Sequence, residues 1–270
     1  MSAEYICSKT FNLMNSNILL NSTVKNILLL IAFLSATIIM NAQTSGTVKY
    51  EERAKLHFNI QGDAPPPANL PTERKTPTIL HFTADASLYE SVKRQNDGEV
   101  VNEEDDGGQV RIKMQVPDNK TFCDLKSSKR IDQKDFMQRK FLIENDLKAS
   151  DWKLTGNQKM ILNYPCQEAT RVDKDKKITA WFTPAIPVSS GPSSYCGLPG
   201  LVLEVIINDG DQTVTATSVT FEKVDASVLV KPKEGKKVSQ EEYDKIVAEK
   251  MKEMGVEGGG NNVIIRVENH

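Results

Sequence analysis

The chain reads as a mainly β protein, a curved antiparallel meander sheet with an amphipathic helix near its carboxy terminus. Three observations lead there. Short runs rich in Val, Ile, Thr, Phe and Tyr recur along the chain, punctuated by clusters of Gly, Pro, Asn and Asp. A helical period of apolar residues appears only after Ser239. The composition, 39% hydrophobic and 26% charged over 270 residues, is that of a soluble globular chain. A formal net charge of −2, with acidic and basic residues interspersed, supplies no clustered positive patch and excludes nucleic acid as a partner.

Residues 1–43 read as a signal peptide. The apolar run from Ile27 to Met40 follows Lys25 and precedes Asn41-Ala42-Gln43, and it is too short to span a bilayer comfortably. Cleavage is expected after Ala42 or Gln43, and Met14 offers a second start. The expected product is periplasmic or secreted, touching the membrane only through its leader, with a β-rich domain over 44–232 and a helix and flexible tail over 233–270. Export changes how the cysteines read: Cys7 leaves with the leader, while Cys123, Cys166 and Cys196 stay in a compartment where disulfides persist. One bridge is expected, Cys166 with Cys196 because each borders a strand of one meander, with Cys123–Cys166 as the competing pair. The spacings are not the close ones of redox or thiolate metal sites.

In chain order, Thr47 to Phe58 predicts a first strand, and Ala64-Pro65-Pro66-Pro67-Ala68 an extended exposed loop. Thr78 to Phe82 and Ser87 to Val92 predict a strand pair. Asn102 to Gly108 is acidic and glycine-rich; Lys113 stands where a calcium loop needs its closing Glu, so a solvated surface loop is expected. Strands resume over Val110 to Gln115, Lys120 to Leu125 and Lys140 to Glu144, and Trp152 is expected to cover one end of the core. A hairpin is expected from Lys159 to Thr183, turning at Asp173 to Lys177. Pro184, Pro187, Gly191 and Pro192 then force an irregular loop. Pro199 and Gly200 suit the two central positions of a type II turn, whose third residue needs φ > 0. Leu201 to Ile207 is apolar except for Glu204, which predicts a strand covered on both faces. Asp209-Gly210 predicts a tight hairpin into Thr213 to Phe221. Ser239 and Glu242 form a capping box, and Tyr243, Ile246, Val247, Met251 and Met254 make one helical face before Gly255. That face docks on the sheet or on a partner. Val263 to Val267 is an edge strand or loose.

The segment Gly197-Leu198-Pro199-Gly200-Leu201-Val202 resembles the hexapeptide of the GLPGLI family of secreted bacterial proteins, with Val202 in place of Ile. Tyr164-Pro165-Cys166-Gln167-Glu168-Ala169, Ala180-Trp181-Phe182-Thr183, Ile186-Pro187 and Gly191-Pro192 precede it in the order that family shows. The resemblance covers roughly 45–230. It implies an envelope or secreted β-rich protein and carries no catalytic residue, so Tyr164, Trp181, Gly197, Leu198, Pro199, Gly200 and Leu201 are read as a structural motif.

Chemistry is sparse in the sequence. His57, His81 and His270 stand in no ligand spacing, and there is no Gly-x-Ser-x-Gly elbow or phosphate-cradling loop. No cofactor is implied. Ser189, Ser190, Ser193 and Ser194 lie on the loop before the hexapeptide. Glu204 is the candidate functional residue, because a carboxylate in an apolar strand needs a partner such as Arg171, an outward position, or a role as a general acid or base. The expected function is non-enzymatic binding or scaffolding in the cell envelope with an unknown partner. The alternatives are metal capture, through the two histidines and the acidic loop, and carboxylate-dependent hydrolysis or processing.

Overall fold

The structure, a computed structural model, describes residues 44–61, 72–92, 99–105, 108–114, 117–147, 151–173, 175–253 and 262–266. The expected leader, the triple proline, Met254 and Gly255 lie outside these residues. The strands are β1 (Gly46–Lys55), β2 (His57–Gln61), β3 (Glu73–Phe82), β4 (Ala86–Ser91), β5 (Glu99–Asp105) and β6 (Gly108–Met114). They continue with β7 (Lys120–Asp124), β8 (Lys129–Phe136), β9 (Arg139–Asp146), β10 (Lys153–Ile161), β11 (Tyr164–Asp173) and β12 (Lys176–Thr183). Last come β13 (Leu201–Ile207), β14 (Gln212–Phe221), β15 (Lys236–Val238), helix α1 (Gln240–Glu253) and β16 (Asn262–Arg266).

Twelve strands form one open sheet in the order β10-β11-β12-β13-β14-β1-β3-β4-β7-β8-β9-β15. Only the β15–β9 pair in it is parallel. The mainly β meander with a carboxy-terminal helix is therefore the fold that forms. The acidic stretch from Asn102 to Asp105 is not a loop, as expected, but lies in β5, which pairs with β6 as a hairpin. The last segment is a strand too: β16 pairs with β2 in a parallel two-stranded sheet.

Residues opposed across the ladders share a face. One face gathers Ala180, Val205, Val214, Val48, Tyr50, Leu80 and Tyr89, and it is the core. The Tyr50 hydroxyl crosses that core to donate to Val202 O at 2.7 Å, and its ring meets Tyr89 edge to face. Trp152 packs at the core's margin, as its sequence position suggests. The first three residues of β13 are fully buried. Beyond them Glu204 and Ile206 face outward and are only partly buried, so the strand is fully covered on both faces only where it begins. The β13–β14 connection is longer than a two-residue turn: a 3-10 turn over Asn208–Gly210, with Asn208 and Asp209 both at positive φ.

The capping box closes reciprocally. Ser239 Oγ accepts from the Glu242 N–H at 3.1 Å, and Glu242 Oε2 accepts from the Ser239 N–H at 2.9 Å. Tyr243, Ile246, Val247 and Met251 are half-buried in α1, as are Gln240 and Asp244, and Tyr243 stacks edge to face on Phe141 of β9.

Candidate functional site

The connection from β12 to β13, residues 184–200, is a tightly bonded loop. Pro184 and Pro187 cannot donate to a ladder, so the backbone satisfies itself over short reaches. Val188 N–H donates to Ile186 O at 2.8 Å, Ser190 N–H to Val188 O at 2.7 Å, and Gly200 N–H to Leu198 O at 2.8 Å. Each bond spans two residues, so Pro199 centres a γ-turn and not the expected type II turn. Gly200 lies at φ +155°, outside the value of about +80° that a type II turn requires. The need for glycine persists for two reasons, the positive φ and the Thr183 carbonyl oxygen, which lies 2.2 Å from where a Cβ would stand. Ile186, Val188, Leu198 and Leu201 project into the core. Ser189 Oγ donates to Leu198 O at 2.7 Å, and Ser190 Oγ to Ser87 Oγ on β4 at 2.6 Å. Ser189 thus closes the loop on itself and Ser190 ties it to β4.

Glu204 has the cation that its burial demands, but the partner is Lys159 of β10, not Arg171. The Lys159 ammonium pairs with Glu204 Oε2 and lies 4.3 Å from the centre of the Trp181 ring, while Thr215 Oγ1 reaches Glu204 Oε1 at 3.4 Å. The side chain of Glu204 is 16% exposed and that of Lys159 36%. The cluster is a neutralised ion pair roofing an outward-facing tryptophan. Tyr164 packs half-buried at the margin of the core. Arg171 instead faces inward, its guanidinium 4.6 Å from the Trp152 ring and 5.5 Å from that of Tyr195. Burial carries the Tyr195 hydroxyl up to about 12 even with that cation beside it.

The cysteines do not pair as expected. All three are buried thiols. Cys166 donates to Tyr164 O, and burial pushes it up to about 11. The thiol near Cys196 is Cys123 of β7, close enough for each to shift the other's titration. Sequence position suggested Cys166 because both cysteines border the same meander, whereas the loop lies across strands five places further along the sheet.

A groove of about 740 Å³ opens on the other face of β4, β7, β8 and β9, under the segment from Ser227 to Glu234. Leu88 and Val230 contribute apolar surface; Lys120, Lys140, Lys231 and Lys233 contribute cations and Glu90, Asp118 and Glu234 carboxylates. Lys140 bridges Asp118 at 2.9 Å and Glu234 at 2.7 Å, and Lys231 pairs with Asp124 at 3.0 Å while lying 5.5 Å from the Phe122 ring. These pairs strap the segment to the sheet. The Ser127 N–H, then the Lys231 ammonium, hold the Asp124 carboxyl down at about 2. A depressed carboxylate stabilises above its unfolded value of about 3.9 and loses that contribution as the pH falls through its folded value. The strap is thus expected to loosen between about pH 4 and pH 2. In an NMR titration, Lys231→Met should move the Asp124 midpoint upward by part of the shift, since Ser127 remains. An unmoved midpoint would mean that the ion pair does not form in solution.

Nothing in the sequence signalled this groove, because its lysines and acids come from three strands, the turn before β7 and a non-repetitive segment. His81 Nδ1 lies 3.2 Å from Thr47 Oγ1, a local structural bond, and the His57 side chain lies outside the described residues. Among the described residues no group of three His, Cys, Asp or Glu is placed to hold a metal ion, and no helix is long and apolar enough to cross a membrane.

Fold and site together define an open, twelve-stranded antiparallel-dominated β protein with a proline-glycine loop anchored in the core by its apolar side chains and a charged surface groove. The model of a family described as a protein of unknown function, Porph_ging, matches residues 168–204, from β11 through the loop to Glu204. No curated protein matches. Two solved structures of PNGF-II, in P21 and C2 crystal forms, are similar at 18% identity with TM-scores of 0.49 and 0.50. Each alignment covers 76% of this chain and 33% or 32% of PNGF-II, so the chain spans about a third of that protein and the likeness is one of fold.

Proposed function

We propose that the protein is an exported member of the GLPGLI family that acts in the cell envelope by non-enzymatic binding, with the groove beneath the Ser227–Glu234 strap as its ligand site. The groove carries this reading. It combines apolar surface at Leu88 with lysines and carboxylates on both the sheet and the strap, the composition of a site that orients a polar ligand. The outward ion pair at Glu204 supports a structural role for that carboxylate, since a neutralised acid under a lysine is poorly suited to move a proton. Leu198, Leu201 and Val202 of the hexapeptide are buried in the core, which supports a role in building the sheet.

Immobilised mature protein is expected to retain a specific component of envelope extracts, and Lys120→Glu with Lys233→Glu is expected to abolish that retention while leaving the far-UV circular dichroism unchanged, the Tm falling modestly because the Lys120–Glu90 pair is lost. Equal recovery by the charge-reversed protein would remove the groove from the binding site. Glu204→Gln is expected to leave retention intact.

A further inference from the structure

We infer that Cys123 and Cys196 are joined in a disulfide that bolts the 184–200 loop to the inner face of β7, an inference that rests on the export proposed above. The two residues stand as free thiols in the structure, near enough to shift each other's titration, and both are buried, at 2% and 7% exposure. Their juxtaposition follows from the register of the sheet. Ser87 of β4 is directly opposed to Cys123 of β7, so the two side chains stand side by side on one face. The loop reaches both: Ser190 bonds Ser87 at 2.6 Å and the Cys196 thiol lies near Cys123. Two independent loop residues thus dock on one cross-strand pair. The backbone of Cys196 is fixed as well, its carbonyl accepting from Trp152 Nε1 at 3.3 Å and its N–H donating to Ser194 O at 3.2 Å.

The chemistry favours this pair. Thiol–disulfide exchange begins with a thiolate, and Cys196 is the thiol held below its ordinary range, first by the neighbouring Cys123 thiol and further by Arg130 and Arg171. The neighbouring Cys196 thiol and burial push Cys123 the other way, and burial does so for Cys166. Oxidation removes two protons and two electrons from the dithiol. The oxidant is an external disulfide such as oxidised glutathione: the Cys196 thiolate attacks one of its sulfurs and expels a thiolate, and Cys123 then displaces the second sulfur from the mixed disulfide. One S–S bond forms in the protein, one breaks in the oxidant, and two small thiols leave. The bond closes a loop of about seventy residues, long enough for a large stabilisation by the chain-entropy account.

The test uses the mature chain, refolded with oxidised glutathione, and the full chain exported by a bacterial host. Non-reducing peptide mapping of the refolded protein is expected to link Cys123 to Cys196 and to find Cys166 alkylated. In Cys166→Ser the link persists, and reductant lowers the Tm by about 5 to 15 °C. A bridge that includes Cys166, or alkylation of all three cysteines after refolding, overturns the inference. The exported chain reports separately on compartment: a mature amino terminus near Thr44 with the same link supports export, and an intact 1–43 segment in cells with the link formed only by refolding removes the export reading and leaves the pairing standing.

Discussion

Gly200→Val is expected to lower the Tm by about 5 to 20 °C, among the largest effects of any single surface-neutral change in this chain. Two costs combine. A β-branched residue at φ +155° is strained, by about 1 to 3 kcal/mol. Its Cβ would also stand 2.2 Å from the carbonyl oxygen and 2.7 Å from the carbonyl carbon of Thr183, and these are backbone atoms. No rotamer change relieves that overlap. Thr183 is fully buried, its hydroxyl donates to Pro165 O at 2.8 Å, and it opposes Leu201 in the ladder. Moving it pulls on β11, β12 and β13 together. Forced overpacking adds about 1 to 3 kcal/mol, a large fraction of the 5 to 15 kcal/mol typical of a whole domain. Gly156→Val separates the two costs: Gly156 has φ +86° but nothing within 4 Å of where a Cβ would stand, so only backbone strain applies. Melts of the two variants should differ by at least a factor of about two in Tm shift. Equal shifts would mean that the Thr183 contact relaxes freely and that the hexapeptide does not hold the sheet together.

What the sequence made legible was the apolar part of this architecture. Ile178 to Thr183, Leu201 to Ile207 and Thr213 to Phe221 read as strands because they sit at the middle of the sheet and bury one or both faces. β10 and β8 did not announce themselves. Lys153–Ile161 is an edge strand with mostly exposed side chains, so no burial pattern is imposed on it. Lys129–Phe136 inverts the usual signal, since Asp132 and Gln133 are its buried residues. The anomaly at Glu204 was visible and its need for a cation followed from burial, but the identity of that cation depends on how β10 lies over Trp181. The nearness of Cys123 to Cys196 was hidden for the same kind of reason. It joins a loop to a strand far away in the sheet, and neither local spacing nor strand adjacency reports such a crossing.

The second large effect is expected at Arg130, and it ties the sheet's most buried carboxylate to the chemistry of the thiol pair. Asp132 has a side chain only 3% exposed, with Arg130 Nε at 2.8 Å from Oδ2 and the Thr121 hydroxyl donating to Oδ1 at 2.8 Å. Arg130→Met leaves that carboxylate buried with one neutral donor, a loss of about 3 to 5 kcal/mol for a broken buried pair. Asp132→Asn removes the charge but keeps the shape, and the double variant should recover much of the arginine loss because no uncompensated charge remains. Urea denaturation of the four proteins measures the coupling. Arg130 is also directly opposed to Cys123, so its charge reaches Cys196 as well. It favours the Cys196 thiolate whereas Asp132 opposes it. In the reduced protein the pH midpoint for alkylation of Cys196 is therefore expected to rise in Arg130→Met and to fall in Asp132→Asn. Movement of both midpoints in the same direction would show that unfolding exposes the thiol and that the charges do not set its reactivity. Opposite movement, with the stability loss confined to the single arginine variant, would establish that one ion pair both holds the inner face of β8 and poises Cys196 for exchange.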